Sequence, residues 1–263
     1  MQIYTFLFAS ELDGVLLPNG TRTAAAGCLE RTWQLLERLK AANYPVVYIA
    51  DHHLSLARES QGLFKLPEPE YWICNLGTEI HDSTGKPEEG WARAMGTPFD
   101  KKLLLDALRG NPNVTLRADE EQGPHKFSFD YSGPVDDTVR TWISTRASQV
   151  VSEKIRFIDS VEESSGLTSF DLLPAAAGKS QALGHLAEKL GLPRTRVFFS
   201  GGGEGSLDIL TSGVCGTLVG NADAVQERAR ELAETVESAR ITLSRDYYGD
   251  GVIEGLRAYD LIS

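Results

Sequence analysis

Two carboxylates, Glu11 and Asp13, follow directly after an apolar run at residues 3–10. An unbroken apolar run of this length predicts a strand that is buried on both faces, as in a parallel sheet. The carboxyl ends of parallel strands form the edge at which α/β proteins bind ligands. Two carboxylates at that edge can hold a hard cation, or divide the work of nucleophile and acid–base group. A polar turn after a strand has the same local pattern, so the rest of the chain must decide.

Further polar groups fall where the same sheet edge would collect them. A second apolar run at 44–50 leads into the polar residues 51–55, Lys179 opens a predicted helix, and a glycine-rich turn follows Ser200. Each group has an ordinary explanation when it is taken alone, such as a solvated lysine or a tight connection. Their common placement at strand ends favours one site built from all of them.

The histidines and cysteines show no pattern of metal ligands. His52 and His53 are adjacent, so they cannot share one face of regular structure, and we expect them at the surface or at the start of a helix. Cys28, Cys74 and Cys215 are far apart in apolar surroundings. We expect buried, reduced thiols.

The composition is typical of a globular protein and excludes several classes of function. The 263 residues, 41% of them apolar, are enough for one large domain or for a core with an insertion. A formal net charge of -11 argues against nonspecific binding to nucleic acid or anionic membranes. No charged segment precedes the first apolar run, and no run approaches the roughly 20 residues of a membrane span. We therefore expect a cytoplasmic protein.

Hydrophobic spacing predicts that a helix joins the first two strands. The order strand, helix, strand over residues 3–50 implies a right-handed parallel crossover. Residues at helical spacing are expected to form the buried face of this helix, namely Leu29, Trp33, Leu36 and Leu39.

The chain changes character in its middle third, which predicts a second domain. Residues 82–174 are more polar and alternate as antiparallel strands do, with helices near 99–109 and 135–151. We therefore predict an α/β fold with a parallel-sheet core domain at 1–81 and 175–263. Residues 82–174 would form an inserted α+β cap domain.

A series of short motifs spans most of the chain. These are Glu11-Leu12-Asp13-Gly14, Leu66-Pro67-Glu68-Pro69-Glu70-Tyr71-Trp72-Ile73, Gly77-Thr78-Glu79-Ile80, Lys126-Phe127-Ser128-Phe129, Asp171-Leu172-Leu173-Pro174, Gly178-Lys179-Ser180, Val219-Gly220-Asn221-Ala222 and Gly251-Val252-Ile253-Glu254-Gly255-Leu256. In this order they resemble the haloacid dehalogenase-like (HAD) phosphatase superfamily, and within it the sucrose-phosphate phosphatases. No single motif is specific, whereas the ordered series is. The resemblance implies a HAD-like Rossmannoid core with a cap inserted after the third strand.

The resemblance also implies roles at the sheet edge. In the family the first Asp of an Asp-x-Asp motif attacks the phosphate, the second protonates the leaving sugar hydroxyl, and a Thr or Ser and a Lys hold the phosphate. This chain keeps Asp13 at the acid–base position and Lys179 at the lysine position. It has Glu11 at the nucleophile position, Ala50 in place of the hydroxyl, and an acid at the next residue. Misplacing a reacting group by about 1 Å can cost on the order of 10²-fold in rate, so we expect lost or severely impaired turnover.

The metal site implied by the resemblance has lost its ligands. The two acids that hold Mg²⁺ in the family fall on Gly202 and Ser206, and Mg²⁺ is usually held by carboxylates. We expect no metal cofactor in this chain. If the protein is active, Mg²⁺ would be held by Glu11, the Asp13 carbonyl and the nearby acids Glu204 and Asp208. Both of these acids lie two residues away from the positions that the family uses.

Residues that lie near the sugar in the relatives are still present. The resemblance assigns substrate contacts to Gly77, Thr78, Glu79, Lys126 and Ser128. The aromatic residues beside the last two, Phe127 and Phe129, are expected in the core, and His125 is expected at the surface.

Three functions remain open on the sequence alone. The leading hypothesis is a non-catalytic phosphatase-like protein that binds a sugar or sugar phosphate, or regulates a partner such as a sucrose-phosphate-synthase-like glycosyltransferase. The second is an active Mg²⁺-dependent phosphatase, converting sucrose 6-phosphate to sucrose, with a Glu nucleophile and a rebuilt metal site. The third is a structural or oligomer-forming protein without a ligand. None of them involves nucleic acid or a membrane.

Overall fold

The computed structural model describes residues 5–161 and 167–262. In this part of the chain the strands are β1 Leu7–Glu11, β2 Val46–Ile49, β3 Tyr71–Cys74, β4 Glu79–Asp82, β5 Val114–Leu116, β6 Phe127–Ser132, β7 Ile155–Val161, β8 Leu167–Pro174, β9 Val197–Gly201, β10 Cys215–Leu218 and β11 Ile241–Leu243. The α-helices are α1 Cys28–Ala41, α2 Leu54–Leu63, α3 Glu89–Ala94, α4 Lys101–Leu108, α5 Asp137–Ser148, α6 Lys179–Lys189, α7 Leu207–Leu210, α8 Gln226–Thr235 and α9 Tyr248–Ala258. The start of the predicted strand 3–10 lies outside the described residues.

The chain divides into two compact units. The core unit comprises Met1–Glu88 and Lys179–Ser263, and the inserted unit comprises Glu89–Gly178. Both divisions lie a few residues later than the predicted boundaries at 81 and 174. The first does so because β4 pairs with β3 and the chain then folds back on β4, where the Glu88 N–H donates to the Ile80 carbonyl.

The core unit contains a mostly parallel sheet. In its described residues the strand order is β11-β10-β9-β1-β2-β3-β4, and only β3 and β4 pair antiparallel. β1 lies between β2 and β9, and its residues Leu7 to Ser10 are fully buried. Strands in such a position are apolar on both faces, which explains the unbroken apolar run. The predicted α/β class with a parallel-sheet core is confirmed.

The predicted buried face of the first helix is confirmed for Leu36 and Leu39 but wrong for Trp33. Trp33 is 46% exposed, whereas Cys28, Thr32 and Leu35 are buried with Leu36 and Leu39. The buried stripe is rotated because α9 approaches this side closely: a Cβ added at Gly249 would lie 1.7 Å from Thr32 Oγ1. Thr32 therefore packs against α9, and Trp33, at the next position around the helix, faces solvent.

The inserted unit contains an antiparallel sheet in the order β5-β6-β8-β7, within its described residues. Helices α4 and α5 fall within the two stretches that the sequence predicts as helical. The hydrophobic core includes Phe127, Phe129 and Phe170, and the last two rings stack with centroids 5.3 Å apart. The prediction that Phe127 and Phe129 are core residues is confirmed.

Among the described residues, no helix combines the length and the apolar character needed to cross a bilayer. All three cysteines are free thiols; Cys28 and Cys74 are buried, whereas Cys215 is partly exposed.

Candidate active site

The end of β1 delivers Glu11 to the C-terminal edge of the sheet. Ser10 pairs with Ser200 of β9, and Glu11, the last residue of β1, pairs with Ile49 of β2. The residues that follow each of these strands therefore meet beside Glu11. The side chain of Glu11 is 13% exposed, so its charge needs partners within the protein.

Three donors hold the Glu11 carboxylate. Lys179 Nζ donates to Oε1 at 2.9 Å, the Gly202 N–H donates to Oε2 at 3.0 Å, and the Ser206 hydroxyl donates to Oε2 at 2.8 Å. Lys179 is the first residue of α6, and Ser206 lies just before α7. Glu11 thus ties β1 to the starts of two helices.

Lys179 bridges Glu11 and a second carboxylate, Asp51. Asp51 Oδ1 lies 2.7 Å from Lys179 Nζ, and the lysine side chain is only 10% exposed. Burial works against the ammonium charge, but Glu11 and Asp51 outweigh it and hold the pKa of Lys179 above its ordinary value. Ala50, at the position where the family has a hydroxyl, is buried beside Asp51. We call Glu11, Asp51, Lys179 and Ser206 the core-site cluster.

Asp13 lies two residues further on and has partners of its own. Its Oδ2 is 3.0 Å from His52 Nε2, and its Oδ1 accepts from the Asn19 amide at 2.6 Å. His52 lowers the pKa of Asp13, burial opposes this, and Asn19 lowers the pKa further. The next histidine, His53, caps the start of α2, where its Nδ1 accepts from the Leu56 N–H. The prediction of a helix-entry role is confirmed for His53.

Two asparagines position the loop after β1, and the sequence analysis assigned a role to neither of them. Asn19 Oδ1 accepts from the Gly14 N–H at 2.8 Å, and Asn221 Nδ2 donates to the Gly14 carbonyl at 2.8 Å. Gly14 has φ +69°, which favours glycine. Asn221 Oδ1 also accepts from the Tyr248 N–H, so it links the loop to the start of α9. The only signal in the sequence is the Asn of the Val219-Gly220-Asn221-Ala222 motif.

The turn after β3 is held within itself. Thr78 is buried and donates to the Asn75 carbonyl at 2.9 Å, and Glu79 accepts from the Asn75 amide. Glu79 also lies 2.9 Å from His81 Nε2. Gly77 has φ +82°, and the two non-glycine residues before it also have positive φ. The backbone strain thus lies at Asn75 and Leu76, directly before the three predicted contact residues, and Glu79 already begins β4.

The donor set does not fit Mg²⁺. Glu204 lies on the surface in a 3.0 Å ion pair with Arg228, and Asp208 is exposed in the first turn of α7. Gly202 and Ser206 direct an N–H and an O–H at Glu11, which are donors where a cation needs acceptors. In the part of the chain that the structure describes, no three His, Cys, Asp or Glu side chains are grouped to hold a metal ion.

The predicted contact residues of the inserted unit form a second polar cluster. Ser128 of β6 lies opposite Asp171 of β8, and its hydroxyl lies within hydrogen-bond distance of two acceptors, that carboxylate and the Glu121 carbonyl. Lys126 Nζ lies 3.5 Å from Asp171 Oδ1, with the lysine side chain 8% exposed. We call Lys126, Ser128 and Asp171 the β6–β8 cluster. The expectation that His125 is at the surface is wrong: it is buried, with Nε2 3.2 Å from the Gly96 carbonyl.

The sheet order, together with an acid-x-acid segment at the end of β1 and a lysine at the start of α6, defines a HAD-like α/β protein. The chain belongs to the sucrose-6F-phosphate phosphohydrolase family, whose model matches residues 4–260. The resemblance seen in the motif series is confirmed.

Individual relatives agree with this assignment. The chain is 26% identical, over 95% of its length and 70% of the relative's, to a protein of Nitrosococcus oceani named as a HAD-like hydrolase. It is 27% identical to sucrose-phosphatase 1 of Nicotiana tabacum over 73% of this chain, but it matches only 45% of the tobacco protein. Its fold is similar to that of the sucrose-phosphatase of Synechocystis in complex with sucrose and phosphate (TM-score 0.75, 20% identity, covering 98% and 99% of the two chains).

Proposed function

We propose that this protein is a non-catalytic member of its family that binds a sugar or sugar phosphate. It would act alone or as a regulator of a partner resembling a sucrose-phosphate synthase, and we propose a cytoplasmic location. The observation that carries this proposal is the Glu11 carboxylate, which is held by Lys179, Gly202 and Ser206 and so serves the fold.

A nucleophilic carboxylate needs a lone pair that is free to attack phosphorus. A carboxylate has about four lone-pair sites, and the three donors to Glu11 leave one of them, on Oε1, where Lys179 also binds. Two of these donors lie at the positions where the family has metal-binding acids. The extra methylene of Glu11 also moves its oxygens relative to a nucleophilic Asp. Both features support a loss of the attacking group.

The acid–base residue Asp13 and the residues at the family's metal-binding positions also support a loss of catalysis. Efficient proton transfer needs a pKa near the working pH, whereas His52 and Asn19 lower the pKa of Asp13. The donor set at 202 and 206 lacks carboxylates, and a Cβ added at Gly202 would lie 3.0 Å from Val15 Cγ2. Restoring an acid at this position would therefore require neighbouring atoms to move.

The inserted unit supports retained sugar binding. The β6–β8 cluster combines a hydroxyl, an ammonium and a carboxylate, which are the groups that bind polyols through hydrogen bonds. The family's name and the printed names of the relatives concern phosphorylated sugars and sucrose. We propose that the inserted unit serves as the cap domain and that its cluster contacts the sugar.

The second candidate is an active phosphatase with Glu11 as nucleophile. It is favoured by the presence of both Asp13 and Lys179 at one sheet edge. It requires Glu204 and Asp208 to leave their surface positions and approach Glu11. Mg²⁺ bound beside Glu11 in crystals, and a Glu11→Gln variant without activity, would support it.

The deciding experiment is an assay of phosphate release from sucrose 6-phosphate with Mg²⁺. We expect the purified protein to release no more phosphate than a heat-inactivated control. Robust turnover that Asp13→Asn abolishes would overturn the proposal. Calorimetric titration with sucrose, glucose and their phosphates tests the binding half, and flat traces for every ligand would favour a purely structural role.

A further inference from the structure

Asp51 contacts Lys179, and the proposed loss of catalysis does not explain this contact. Its side chain is 60% exposed, yet Oδ1 lies 2.7 Å from the nearly buried Lys179 Nζ. An exposed carboxylate could remain hydrated at little cost, so its contact with a buried ammonium indicates a favourable anion position at Lys179. The protein's own carboxylate occupies that position.

We propose that Asp51 takes the place of a substrate phosphate at Lys179, so that the protein binds unphosphorylated sugars and rejects sugar phosphates. This inference rests on the proposed function and deepens it by naming the ligand class. It makes Asp51 a specificity-determining residue.

The charge distribution around Lys179 supports the exclusion of phosphate. Glu11 and Asp51 both contact this ammonium, and Asp13 follows Glu11 by two residues. Two carboxylates thus contact one lysine, and Asp13 pairs with His52, which is positively charged only when it is protonated. A phosphate dianion at Lys179 would have to displace Asp51 and would still face Glu11. Juxtaposed like charges disfavour binding strongly.

An uncharged sugar meets no such barrier. Its hydroxyl groups can donate to Asp51 or Asp13, and carboxylates are strong acceptors. The same charges that exclude a phosphate ester therefore permit a neutral polyol.

The first test is a calorimetric titration with inorganic phosphate at constant ionic strength. Wild type is compared with Asp51→Asn, with Asp51→Ser as a second variant should the first not fold. The matched control is Glu59→Gln, which removes the same charge from an exposed position on α2. We expect both Asp51 variants to bind phosphate on the order of tenfold more tightly than wild type, and the control to behave as wild type. Equal phosphate affinity in wild type and the Asp51 variants, or an equal gain in the control, would overturn the inference.

The second test compares sucrose with sucrose 6-phosphate as probes. Wild type should bind sucrose more tightly, and Asp51→Asn should reduce or reverse that preference. Binding of sucrose 6-phosphate to wild type as tightly as sucrose contradicts the inference. Turnover in the phosphate-release assay, or flat traces with every sugar, would instead contradict the proposed function. The inorganic phosphate titration is independent of both, because it involves neither a sugar nor an ester.

Discussion

The core-site cluster and the β6–β8 cluster contain the same three kinds of group, a nearly buried lysine, a carboxylate and a serine hydroxyl, but hold them differently. In the core-site cluster, residues from positions 11, 51, 179 and 206 meet only through their side chains. In the β6–β8 cluster, Ser128 and Asp171 are opposite each other in a sheet whose backbone hydrogen bonds already fix them. The first cluster connects distant segments of the fold, whereas the second is held in place by the sheet.

This difference indicates which of the two clusters serves the fold and which serves ligand binding. Groups kept for binding or catalysis commonly reduce stability, because they are arranged for a ligand rather than for the fold. The core-site cluster has the opposite property, because its contacts join segments that are far apart in the sequence. We therefore expect substitutions of Glu11, Lys179 and Ser206 to act mainly on stability, whereas substitutions of Asp51 and of the β6–β8 cluster should act mainly on ligand binding.

The largest effect is expected for Lys179→Met. This change leaves Glu11 without its counter-charge at a site that is 13% exposed. Breaking such a pair by removing one partner costs about 3–5 kcal/mol. We expect the free energy of unfolding in urea to fall by that amount. A fall below about 1 kcal/mol, the range of a surface ion pair, would show that the cluster does not support the fold.

The double variant Glu11→Gln/Lys179→Met isolates the pair from other consequences of the change. With both charges removed, no unpaired charge remains buried. We expect the double variant to lose much less stability than the sum of the two single variants, measured as a double-mutant cycle. Additive losses would contradict a direct interaction.

A smaller loss is expected for Ser206→Ala. The Ser206 hydroxyl is fully buried and donates to Glu11 Oε2 at 2.8 Å. Hydrogen bonds to charged groups contribute about 1.5–3 kcal/mol, and the free energy of unfolding should fall by this amount. The matched control is Ser212→Ala, whose hydroxyl donates to the neutral Ile209 carbonyl. If both variants lose equally, the charge of Glu11 is not the cause.

The sequence predicts which segments of the core site meet, but it does not predict which individual side chains contact each other. The buried strand β1 and the meeting of Glu11 with Lys179 follow from strand order and the placement of parallel strand ends. The contact of Ser206 with Glu11 was not predicted. The residue types of a glycine-rich turn do not indicate the direction in which one of its hydroxyl groups points.

Local sequence patterns also gave wrong predictions of burial where a distant part of the chain packs against the residue. Trp33 fits a helical stripe, but α9 packs at Gly249 against the neighbouring Thr32 and leaves Trp33 exposed. The residues next to His125 in the sequence do not indicate that it is buried. Its contact with the Gly96 carbonyl, 29 residues away, forms only when the inserted unit folds. The three-residue strand β11 is too short for a periodicity to be read.

Lys126→Met tests the other half of the comparison. The contact of Lys126 with Asp171 is longer, at 3.5 Å, than the 2.9 Å contact of Lys179 with Glu11, and Asp171 is the more exposed of the two carboxylates. We expect a stability loss of only about 1–2 kcal/mol, with sucrose binding weakened on the order of tenfold or more, since a bond to a charged group is lost. Lys154→Met, at an exposed position of the same unit, is the control. Unchanged sucrose affinity in Lys126→Met would remove the β6–β8 cluster from the proposed binding site.

The smallest effect is expected at Asp13, and it depends on pH. The folded pKa of Asp13 lies below its ordinary value of 3.8, because His52 and Asn19 favour the charged form and outweigh burial. Charged Asp13 therefore contributes stability above that pH, and the contribution is lost as the pH falls through the folded pKa. Both side chains of the Asp13–His52 pair are about one third exposed, so screening keeps the contribution below about 1 kcal/mol. Urea midpoints of wild type and Asp13→Asn should differ slightly at neutral pH and converge in acid. A difference that persists in acid would assign the loss to the asparagine's packing rather than to its missing charge.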